Sequence, residues 1–137
     1  MKILEVLTER RKTGNLGERA AAKFLRRAGY KILERNYVAF DREIDIVARK
    51  GNETVFVEVK TRTVGHENPR EVRPASSVTP EKQRKIISAA KCYKGTHDGC
   101  GRVRFDVIEV FVREGEKKKA VDRIVHLENA FNANTAM

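Results

Sequence analysis

The segment Arg42-Glu43-Ile44-Asp45-Ile46-Val47-Ala48-Arg49-Lys50-Gly51-Asn52-Glu53-Thr54-Val55-Phe56-Val57-Glu58-Val59-Lys60 holds two short runs rich in Ile, Val and Phe on either side of Lys-Gly-Asn-Glu. This is the pattern of two strands and a turn. Residues two apart in a strand share a face, so Glu43, Asp45 and Val47 fall together, opposite Ile44, Ile46 and Ala48. In the second run Thr54, Phe56, Glu58 and Lys60 oppose Val55, Val57 and Val59. Antiparallel pairing of 43–49 with 54–60 brings Asp45 close across from Glu58, with Lys60 one pleat further on. Two carboxylates facing each other repel, an arrangement that makes sense if they jointly ligate a hard, oxygen-seeking cation, Mg2+ or Mn2+. Such an ion polarises a phosphodiester, and Lys60 beside it would position or deprotonate the attacking water. With 35% of residues charged, acid-x-Lys tripeptides are common, and Glu58-Val59-Lys60 gains its weight from Asp45 in the preceding strand.

Working outward, residues 31–38 form a further short strand, giving three consecutive antiparallel strands. Before them Leu16, Ala20, Phe24 and Ala28 recur at helical spacing, with Ala21 and Leu25 beside them and Gly29 as a stop. A helix over 15–28 follows, its outer face carrying Arg19, Lys23, Arg26 and Arg27; residues 1–12 read as a further turn or a loose N-terminal arm. After the third strand, 63–78 lacks periodicity and reads as a long loop. Thr79 and Pro80 then suit an N-cap and first helical position, with Ile86, Ile87, Ala89, Ala90 and Tyr93 as the apolar stripe of a helix over 80–94. A strand over 102–112, a charged turn over 114–119 and a strand over 121–127 complete the chain. The expected architecture is a single α/β domain with an αβββαβ core and an added strand. The second helix crosses to a parallel fourth strand, making a mixed sheet flanked by helices.

The length of 137 residues excludes separate cofactor and substrate lobes. No stretch approaches the roughly 20 apolar residues of a membrane span, and charges interrupt the N-terminus before a signal peptide could form. Two cysteines make no disulfide framework, so a reducing, cytoplasmic setting is expected. Cys92, His97 and Cys100 are spaced only loosely like a zinc site, and a helix end with its turn explains them adequately. Asp106 and Glu109 lie on opposite faces of the fourth strand and read as structural or surface residues.

Twenty-nine Lys and Arg against nineteen Asp and Glu give a net charge of +10, the footprint of a protein that meets polyanions. Residues 37–60 nevertheless hold five acids and four bases. Carboxylates where a phosphate is expected repel it unless a divalent cation lies between them. Arg19, Lys23, Arg62, Lys82 and Gln83 are the candidate nucleic-acid contacts. With no Trp and few aromatics to stack on bases, duplex or branched DNA is favoured over single strands. Symmetric cutting of two strands would require a homodimer.

Several motifs in order, over nearly the whole chain, carry a family resemblance. They are Thr13-Gly14 with Gly17-Glu18-Arg19-Ala20, Gly29-Tyr30, Arg42 to Ala48, Val55 to Arg62, Ser77-Val78-Thr79 with Lys82-Gln83, Arg104 to Ile108, and Asn129-Ala130-Phe131. Together they resemble the YraN family of small bacterial proteins, itself similar to the PD-(D/E)XK nuclease superfamily and closest to archaeal Holliday-junction resolvases. The resemblance implies a restriction-endonuclease-like fold and a nuclease acting on DNA, including branched or recombination intermediates. It makes Asp45 and Glu58 the metal-binding acids, Lys60 the catalytic lysine and Glu18 the helix glutamate. Gln83 falls where the superfamily often places a further polar residue, and the Val59 carbonyl and Glu18 are expected to complete the metal shell. Arg42 stands where the family usually has glycine. Two other classes of function fit the same basic surface: a nucleic-acid-binding module without chemistry, and a partner protein in DNA repair or uptake.

Overall fold

The computed structural model describes residues 3–65 and 78–132, without the side chains of 4–10. The elements run α1 (Ile3–Arg27), β1 (Lys31–Ala39), β2 (Arg42–Lys50), β3 (Glu53–Thr63), α2 (Pro80–Thr96), β4 (Arg102–Glu114) and β5 (Lys119–Phe131). The expected loop over 63–78 lies outside the described residues except at its ends.

The five strands form one sheet in sequence order, antiparallel throughout except where β3 runs parallel to β4. A parallel pair needs a crossover, which α2 supplies. The mixed sheet and the αβββαβ order agree with the sequence reading. Thr79 caps α2, its Oγ1 accepting from the Lys82 N–H at 3.2 Å, with Pro80 following in the first turn. The central strands read as near-continuous apolar runs because both faces are covered. On one face Ala21, Ala22 and Leu25 of α1 join Ile46, Ala48, Val55, Val57, Ile108 and Val110. On the other, Ile86, Ala89, Ala90 and Tyr93 of α2 join Ile44, Val47, Phe56 and Phe105.

Two expectations need correction. Residues 3–12 are not a loose arm: of the two readings the further helical turn holds, and it is longer than one turn, because α1 is continuous over 25 residues and passes through Gly14 and Gly17. The Leu, Glu, Arg and Lys residues before Gly14 are strong helix formers, and a glycine inside a helix costs only about 1 kcal/mol. Gly17 has a packing reason, since a Cβ there would collide with Oγ1 of Thr61 on β3. The glycine lets α1 approach β3 and sets Glu18 beside the sheet. The second correction concerns β2. Ile44 does not share the face of Ile46 and Ala48; it packs with Val47 on the α2 side. Strict alternation slips around Asp45, and the neighbouring strand is irregular too, with a bulge between Ile32 and Glu34 and a φ of 54° at Asn36.

Candidate active site

The β2–β3 register pairs Lys50 with Glu53 and Ile46 with Val57, so the next step places Asp45 opposite Glu58. The ladder stops there because the Asp45 side chain takes over: its Oδ2 accepts the Val59 N–H at 2.8 Å. The Asp45 and Glu58 carboxyl groups lie close enough to act on each other's titration. Glu58 is only 5% exposed. Lys60 Nζ lies 3.7 Å from Glu58 Oε1, and Lys82 Nζ, from the first turn of α2, lies 3.8 Å from the same atom. The sequence placed Asp45, Glu58 and Lys60 together, and the geometry does so as well. It adds Lys82, assigned from sequence to nucleic acid alone.

Glu18 approaches from α1. Its Oε2 is 3.8 Å from Arg35 Nη2, and with the Asn36 amide nitrogen turned inward, that nitrogen bridges Glu18 at 3.2 Å and Glu43 at 3.0 Å. Arg35 and Asn36 were not singled out from sequence. An asparagine inside a β-rich run was the available signal, since Asn enters the left-handed region more readily than most residues.

Of the remaining candidates, Arg19 and Lys23 are exposed on α1. Arg62 directs Nε to Glu109 at 2.6 Å, and Glu109 is buried. Gln83 is buried, its Nε2 donating to the Val78 carbonyl at 2.8 Å, while its Oε1 has no hydrogen-bond partner among the described residues. At the C-terminal end of α2, His97 stacks on Tyr93 with ring centroids 3.8 Å apart, and Cys92 and Cys100 are free thiols.

The electrostatics of the carboxylates follow from this packing. Burial, and then the neighbouring Asp45, push Glu58 from 4.5 up to about 7, against the pull of Lys82 and Lys60. Asp45 is also raised, by burial first, although the Val59 N–H opposes the shift. Glu18 is raised by burial and then by Asp45. Negative charge here is destabilised by its surroundings, which is the demand a cation meets. Among the described residues no group of three or more His, Cys, Asp or Glu side chains is arranged as a metal cage. Two carboxylates suffice for Mg2+, which keeps several waters and is commonly held by one or two carboxylates together with substrate phosphates. Asp45 and Glu58 fit that donor set, with Oδ2 of Asp45 already engaged by Val59.

The raised Glu58 has a measurable consequence in EDTA. Between pH 4.5 and about 7 the folded protein holds a proton that the unfolded chain releases, so stability falls as pH rises through that window. The loss is on the order of 3 kcal/mol. Thermal melts from pH 5 to 8 should show a declining Tm, flattened in Glu58→Gln and partly restored at pH 8 by Mn2+. A wild-type Tm no more pH-dependent than that of the variant would contradict the assignment.

The matching family model is described as "Uncharacterised protein family UPF0102" and covers residues 17–110. The chain belongs to the UPF0102 family. This is the YraN family that the motif pattern resembles. A UPF0102 protein of Chlorobaculum parvum is 45% identical over 123 residues, covering 86% of this chain and 90% of the relative. One from Geobacter metallireducens is 46% identical over 121 residues, with the same two coverages, 86% and 90%. One from Desulfosudis oleivorans is 41% identical over 133 residues, covering 96% of this chain and 98% of the relative. The UPF0102 match takes in Glu18, Asp45, Glu58, Lys60, Lys82 and Gln83. No described helix is long and apolar enough to cross a membrane.

Proposed function

We propose that the chain is a Mg2+- or Mn2+-dependent nuclease that hydrolyses DNA phosphodiester bonds, including those of branched or recombination intermediates. The observation that carries this reading is the buried Asp45–Glu58 pair with Lys60 Nζ 3.7 Å from Glu58 Oε1. The likeness of the family's motifs to PD-(D/E)XK nucleases and the net charge of +10 support it.

Asp45, Glu58 and the Val59 carbonyl would hold the cation, with Glu18 as a further carboxylate from α1. When bound, a divalent ion supplies Lewis-acid polarisation of the phosphodiester and acidifies the attacking water. Lys60 orients that water and offsets the negative charge that grows on the phosphoryl oxygens. Lys82 shares the Glu58 carboxylate with Lys60 and lies ready to meet a phosphate from the α2 side. Burial of Glu58 keeps bulk water from screening these charges.

The test is incubation of linear, circular and branched DNA with Mn2+, comparing wild type with Asp45→Asn and following ion uptake by calorimetry. The expected result is metal-dependent cleavage by wild type, with both cleavage and ion uptake lost in the variant. Equal cleavage by the two proteins would identify a contaminant and end the nuclease reading. Binding of DNA without cutting under any divalent ion would favour a non-catalytic module.

A further inference from the structure

A cleft of about 870 Å3 lies between α1, the Arg35–Asn36 corner of β1 and the turn that joins β4 to β5. Six bases line it: Lys12 and Arg19 from α1, Arg35, and Lys117, Lys118 and Lys119 at the turn. Glu18, Glu114 and Glu116 are the acids in the same wall, so bases outnumber acids two to one. Lys119 Nζ donates to Thr13 Oγ1 at 2.6 Å and ties the turn to the helix. Lys117 and Lys118 are exposed.

The cleft joins the candidate active site through Glu18. That residue and Asn36 both line it, and the Asn36 amide nitrogen bridges Glu18 at 3.2 Å and Glu43 at 3.0 Å, two residues from Asp45 on β2. Its size falls within the roughly 300–1,000 Å3 of small-ligand clefts, room for a few nucleotides of one strand and too little for a duplex. Among the described residues no aromatic side chain lines it, so a strand held here would be gripped by its phosphates rather than by stacked bases.

We propose that this cleft seats a single-stranded arm of a branched DNA substrate and leads the adjoining phosphodiester to Asp45 and Glu58. The inference rests on the nuclease reading and names the form of its substrate. Lys117 and Lys118 close over the phosphates from the turn, Arg19 and Lys12 meet them from the helix, and Arg35 stands where the cleft opens on the carboxylates. The paired part of the substrate stays outside, against the remaining basic surface.

Binding can be tested without cleavage. Full-length protein in EDTA is titrated against a fluorescein-labelled duplex bearing one single-stranded arm, and against a blunt duplex of equal paired length. Wild type should prefer the armed DNA. Lys117→Ala/Lys118→Ala should weaken armed binding about tenfold more than blunt binding and reduce the salt slope on armed DNA by about 1.4. Both lysines are exposed on a turn, and circular dichroism checks that the variant is folded. Equal losses on both substrates, or no loss on either, would overturn the proposal. Preference for the arm that disappears in the variant, with no cutting by wild type in Mn2+, would leave the cleft assigned and remove the nuclease reading. Cutting by wild type with no preference for the arm would do the reverse.

Discussion

Replacing Lys60 with alanine is expected to slow DNA cleavage by about 10²–10³-fold, the range associated with losing one group placed to stabilise developing charge. Three features make this a test of chemistry rather than of folding. Lys60 is partly exposed, with 33% of its side-chain surface accessible, so truncation opens no buried cavity. Glu58 keeps a cationic neighbour in Lys82, 3.8 Å from Oε1, so no buried carboxylate is left alone. Asp45 keeps its hydrogen bond from Val59, so the carboxylates that would take up the ion keep their places. Mn2+ uptake by calorimetry should therefore survive in Lys60→Ala while turnover collapses, whereas Asp45→Asn should lose both. A Lys60→Ala protein cutting within about tenfold of wild type would remove Lys60 from the reacting atoms and leave it a charge that steadies Glu58.

How much of this site could be read from sequence depended on which geometric rule each residue obeys. Asp45, Glu58 and Lys60 were legible because a short turn fixes the register of a hairpin. Once Lys50 pairs with Glu53, each step back along β2 matches one step forward along β3, and Asp45 must meet Glu58. Lys82 was not legible as their neighbour, because its position depends on how the first turn of α2 settles on the sheet, a long-range packing event. Glu18 shows no pattern of its own within an amphipathic helix and was reached through the family resemblance. The grouping of Arg35 and Asn36 with Glu18 needs the β1 irregularity and the left-handed Asn36, which alternation rules do not foresee. The same local departure moved Ile44 to the α2 face, against strict period-2 reading. Elsewhere the fold followed its patterns: the parallel step from β3 to β4 could be inferred because a helical period with its own N-cap separates two apolar strands. The extension of α1 before residue 15 stayed open because Thr13-Gly14 looks like a break in one dimension, while the reason for Gly17, a close approach to Thr61, exists only in three.

The other large effect lies away from the carboxylates. Asp106 is 0% exposed, and its two oxygens serve four donor groups. Arg104 grips it in a fork, Nε to Oδ1 and Nη2 to Oδ2, both at 2.8 Å. His126 Nε2 lies 2.7 Å from Oδ2, and the Asn129 N–H donates to Oδ1 at 2.9 Å across the irregular β4–β5 pairing between Phe105 and Val107. Arg104 also reaches Tyr30 and Glu53, and His126 sits edge-on to Phe24, so β3, β4, β5 and the C-terminal end of α1 meet here. Burial alone would raise the Asp106 pKa; His126, Arg104 and Asn129 outweigh it, and the carboxylate stays below its ordinary 3.8. A depressed carboxylate contributes stability that is present above its unfolded pKa and disappears as pH falls through the folded one. Asp106→Ala leaves a guanidinium, an imidazole and a backbone N–H without their shared acceptor, a loss of about 3–5 kcal/mol at pH 7. Urea denaturation at pH 7 measures it, and the gap from wild type should narrow on acidification toward pH 3. Asp106→Asn should fall between the two, because the amide keeps the volume and one acceptor oxygen but surrenders the charge that Arg104 faces. A cost below about 1 kcal/mol for the alanine variant would mean that water or rearranged side chains replace the carboxylate, and that β5 is held to the sheet by its ladder and apolar contacts alone.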